Sequence, residues 1–144
     1  MYSIIDDRTW NCVIDVGGDD RGALALGRLS PSLNKENDYE MFLVVNFYRP
    51  LTQNVPDAIA VMKEIETASS MRFTGIINNS NLGQLTQPED VLATCERAQQ
   101  LAEVTGLPLI ATYCEETLAP RLEGKIENLR PLRLHFRPDW AIWR

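Results

Sequence analysis

Four short apolar runs separated by helical patterns constrain this chain more than any other feature. They occupy residues 11–16 (NCVIDV), 41–46 (MFLVVN), 73–78 (FTGIIN) and 109–113 (LIATY). Each is rich in Val, Ile or aromatic residues and apolar nearly throughout, the pattern of a strand covered on both faces of a parallel sheet. Between them, residues 58–69 (AIAVMKEIETAS) place Ile59, Met62 and Ile65 at helical spacing. Residues 88–105 open with Pro88, Glu89 and Asp90 and stop at Gly106, the start and stop chemistry of a helix. Residues 19–29 form a third helical candidate, with Asp19 as cap and Ala23, Leu24, Leu26 and Leu29 as apolar face.

Strands alternating with helices imply βαβ units with right-handed crossovers. The expected fold is α/β: three layers, a mainly parallel sheet, helices on both faces. The four runs are expected to pair in sequence order, beginning with the strand that ends at Asp15. A first strand that is antiparallel or detached would overturn this arrangement and the function built on it. Residues 1–10 resemble the end of a helix, and residues 132–137 (LRLHFR) alternate as an edge strand or tail would. Residues 1–144 thus form one domain, with 131–144 as its edge strand or tail.

Composition narrows the function. With 144 residues, 44% of them hydrophobic, the chain fills one core. A net charge of -6 and a pI near 4.8 oppose a general grip on nucleic-acid phosphate, so no direct nucleic-acid partner is expected. Arg121, Arg130, Arg133, Arg137 and Arg144 gather late, among Phe136, Trp140 and Trp143. Such a tail more often folds onto its own domain than docks elsewhere. Three cysteines without a close pair suggest neither zinc nor a disulfide framework, and His135 alone excludes a two-histidine metal site or a triad within one chain. Cys114, followed by Glu115 and Glu116, lacks the electropositive setting of a reactive thiolate. No apolar run approaches the roughly 20 residues that span a bilayer. Residues 1–10 also lack the features of a signal peptide, so a cytoplasmic location is expected.

The segment best suited to chemistry is residues 12–27, CVIDVGGDDRGALALG. A carboxylate at a strand's carboxyl end, Asp15, can hold a Mg²⁺ water, while Gly17 and Gly18 let backbone N–H groups approach a phosphate at a helix start. A tight strand-to-helix turn with Asp15 and Asp19 as caps asks for the same residues, and the two readings stand even. Residues 74–83 (TGIINNSNLG) bring Asn78, Asn79 and Asn81 to another strand end. An amide suits the edge of a purine base, although Asn-rich loops are also common turns. Asn46 and Arg49 follow the neighbouring strand, and ligands of open α/β sheets bind at such ends.

DVGGDDRGALALG, LVVNFYRP, GIINNSNLG and LPLIATY, in this order, resemble the MinD/ParA-like P-loop ATPases, closest to a bacterial branch of that family, over nearly the whole chain. The resemblance implies that Asp15 is the Walker B carboxylate ordering Mg²⁺ and that Gly17 and Gly18 form the phosphate-sensing turn, with Asp19 beside them. It implies that Asn78 reads adenine; Asn79 stands where many relatives carry arginine. The phosphate-gripping loop, GxxxxGK[ST], is missing. The one Gly-Lys pair, Gly124-Lys125, is followed by Ile126 and has Ala119 where the leading glycine belongs.

In intact relatives the P-loop strand lies between the strand ending at Asp15 and the strand ending at Asn46, so that slot must close or be filled. The expected protein is therefore a truncated P-loop NTPase-like domain, a truncated or split product, inactive alone. Mg-ATP is the cofactor of the complete form, and this chain would hold it no better than millimolar, about 4 kcal/mol. Its expected partner is a second copy, covering the apolar surface left bare, or an upstream P-loop segment. Two alternatives remain: a non-catalytic protein-interaction module that uses the strand ends or the Arg-Trp tail, and a small-molecule binder with a flavodoxin-like sheet.

Overall fold

A computed structural model describes residues 11–17 and 20–135. Its centre is a parallel sheet of β1 (Phe42–Val45), β2 (Gly75–Asn78), β3 (Leu109–Glu115) and β4 (Leu129–Leu132), adjacent in that order. Phe42 is paired with Gly75, Asn78 with Thr112, and Thr112 with Leu129. The chain is α/β, as the alternation implies, and its parallel sheet is consistent with the three-layer class.

Helix α1 spans Asp20–Gly27 and α2 Ser30–Glu36; α3 spans Val55–Ser69, α4 Pro88–Thr105, and the short α5 Ala119–Leu122. Local chemistry accounts for the longest two. Asn54 caps α3, its Oδ1 accepting from the Asp57 N–H at 2.9 Å. At α4 the Gln87 N–H donates to Asp90 Oδ2 at 2.8 Å, one half of a reciprocal capping box. That helix stops at Gly106, whose φ of 71° strains any residue with a Cβ.

The apolar positions then fix the layers. Leu43, Val45 and Phe47 meet Ala58 and Met62 of α3, Ile76 of β2, and Ala98, Leu101 and Ala102 of α4 in one core. A fully buried leucine such as Leu101 contributes about 2 kcal/mol or more. A smaller cluster of Val91, Cys114 and Leu122 closes the β4 side. α4 lies on β2 and β3, α3 lies beside α4, and α1 packs against α3. The α1 contact is close, because a Cβ on Gly27 would stand 2.9 Å from the Ala68 carbonyl oxygen.

The opposite face of the sheet is less covered. A Cβ on Gly75 would meet Ile110 Cγ1 at 2.7 Å and Phe42 Cδ1 at 3.2 Å, so both side chains cross the face away from the core. On that face Val44 is 58% and Ile110 40% exposed.

Two expectations are corrected. Residues 11–16 are not a strand: they have no regular structure and Val13 is 97% exposed, so the sheet does not begin there. The composition is that of a strand, but a strand exists only by pairing with a neighbour, and β1 has not taken this segment up. The fourth member is instead Leu129–Leu132, where an alternating edge was expected at 132–137. Within β4, Thr112 N donates to Asn128 O and Glu116 N to Leu132 O, which turns Pro131 outward from β3. A missing N–H costs nothing there. The expected helix at residues 1–10, Gly18, Asp19 and the aromatic tail from Phe136 lie outside the described residues.

Candidate functional site

The carboxyl ends of β1 and β2 are where the asparagines were expected to converge, and they do. Asn46 links the two loops, its Nδ2 donating to Asn81 O at 3.1 Å and its Oδ1 accepting from the Asn81 N–H at 3.3 Å. Asn46 Oδ1 also accepts from Tyr48 N at 3.0 Å. Asn79 continues the ladder through its N–H to Val45 O at 2.9 Å.

Asn78 departs from its expected role. Its exposure is 0%, its Nδ2 donates to Thr94 Oγ1 at 3.1 Å, and its Oδ1 accepts from Ser80 N at 3.2 Å and Ser80 Oγ at 2.6 Å. Ser80 Oγ in turn accepts from the Phe47 N–H at 3.0 Å. The amide that would read adenine is thus engaged inside the protein, stitching the β1 and β2 loops to α4. A base edge has no path to it in this conformation.

Asp15 stands exposed in the segment before α1, off the sheet. Gly17 is close to that helix, since a Cβ on Gly22 would fall on the Gly17 carbonyl oxygen, which makes Gly22 a position of close backbone approach. Asp15 and Gly17 therefore lie at the head of α1, while Asn78 lies within the interface of β2 and α4. Among the described residues no group of three or more His, Cys, Asp or Glu side chains could hold a metal. Among the described residues, the exposed Asp15 carboxylate and the sealed Asn78 amide do not come together as a Mg-ATP site.

The surrounding polar groups serve local structure. Tyr48 Oη donates to Asp90 O at 2.9 Å. Burial raises the Tyr48 pKa, Asp90 raises it further, and Arg97 opposes them. Arg97 lies 5.6 Å from the Phe47 ring centroid and donates to Gln53 O at 3.0 Å. Arg49, by contrast, is exposed at the strand end.

The feature that sequence reasoning missed is the state of the two sheet edges. Val45 O accepts from Asn79 N at 2.9 Å, and Val45 is paired with Asn78, so Leu43 and Val45 face β2. Phe42 and Val44 consequently turn their N–H and C=O groups outward, with no strand beyond them among the described residues. The signal was available: MFLVVN contains none of the Lys or Pro residues that usually blunt an edge.

Compared with known proteins, the chain matches no family model, no curated protein and no solved structure. No helix among the described residues is long and apolar enough to cross a membrane.

Proposed function

We propose that this chain is an incomplete α/β domain that acts by binding another polypeptide and has no ATPase activity of its own. The observation that carries this reading is the pairing state of the sheet: among the described residues β1 ends it with an unpaired edge, while the Asp15 segment stands off it. Phosphoryl transfer depends on positioned charge, and among the described residues these strand ends supply no cradle for a polyphosphate. Its acidic balance, at a net charge of -6, further opposes an anionic ligand.

A MinD/ParA-like origin keeps only the sequence resemblance behind it, because residues 11–16, whose detachment was to overturn it, stand off the sheet. On that view Mg-ATP binds only when a second segment brings a phosphate-binding loop. Three unpaired cysteines suit a reducing cytosol.

Thermal melting with and without Mg-ATP tests the proposal. The melting temperature of the chain is expected to stay unchanged at millimolar nucleotide. A shift of several degrees at micromolar ATP would reveal a phosphate site and overturn the interaction reading.

A further inference from the structure

We draw no further inference here: the strongest candidate, the apolar sheet face of Phe42, Val44, Ile77 and Ile110 opposite the helix layer, carries nothing, because nothing in the structure shows what covers it.

Discussion

Substituting Asn78 by alanine tests whether that amide is structural or was meant for a ligand. The side chain has no solvent exposure, and its hydrogen bonds go to Thr94 Oγ1 and to the N–H and Oγ of Ser80. Thr94 retains a partner after truncation, because its Oγ1 also donates to Val91 O at 2.8 Å. Ser80 does not fare as well. Its N–H and hydroxyl proton lose their acceptor in a residue that is 1% exposed. An unsatisfied buried group costs about 1–3 kcal/mol, so Asn78→Ala should destabilise the fold by about 3–4 kcal/mol in all. For a domain of this size that corresponds to a fall in Tm on the order of 10 °C. Urea unfolding monitored by far-UV circular dichroism measures the free energy, with an unchanged m-value showing that only the native state has been touched. A loss below about 1 kcal/mol would refute the network argument. Stabilisation by added adenine nucleotide of the native chain, but not of the variant, would refute the structural assignment itself.

Other outcomes follow from neighbouring features. Thr112 Oγ1 is buried without a hydrogen-bond partner among the described residues, so Thr112→Val should be neutral or stabilise by up to about 2 kcal/mol in the same unfolding assay, opposite in sign to Asn78→Ala. Leu101→Ala empties a core position of 0% exposure and should cost about 2–5 kcal/mol, read as a lower urea midpoint. Gly106→Ala forces a Cβ onto a φ of 71° and should lower stability by about 1 kcal/mol. Burial raises the thiol pKa of both Cys95 and Cys114. Since the thiolate reacts, both should lag behind the exposed Cys12 in native-state alkylation, and the lag should persist at a pH where an ordinary thiol is already ionised. Equal labelling of all three before unfolding would contradict that burial.

Much of the sheet was legible because the apolar runs mark its strands, although they are fully covered only on the helix side and leave Val44 and Ile110 exposed on the other. β2 and β3 fall inside or overlap their apolar runs, and α4 begins at Pro88 and ends before Gly106 as its boundary chemistry requires. What composition does not carry is the presence of a neighbour. Residues 11–16 read as a strand as well as 41–46 do, yet only the latter have β2 beside them. β4 was placed a few residues late, on the alternation at 132–137, and Pro131 is tolerated within it because it faces outward at an edge. The candidate site fared less well for a similar reason. An asparagine at a strand end has the same donors and acceptor whether it faces a base or an interior serine, and burial by α4, a long-range property, decides between them.

Pro131 has a consequence for how large any assembly can grow. Open-ended stacking requires that each unit offer one surface and accept its complement on another. Here the sheet is receptive along β1, whereas along β4 a proline ring occupies the place of an outward N–H donor. A strand added at the first edge would therefore find no equal acceptor at the second, and head-to-tail propagation of that kind would stop at its first step. Replacing Pro131 with valine restores the donor and opens a route to fibres.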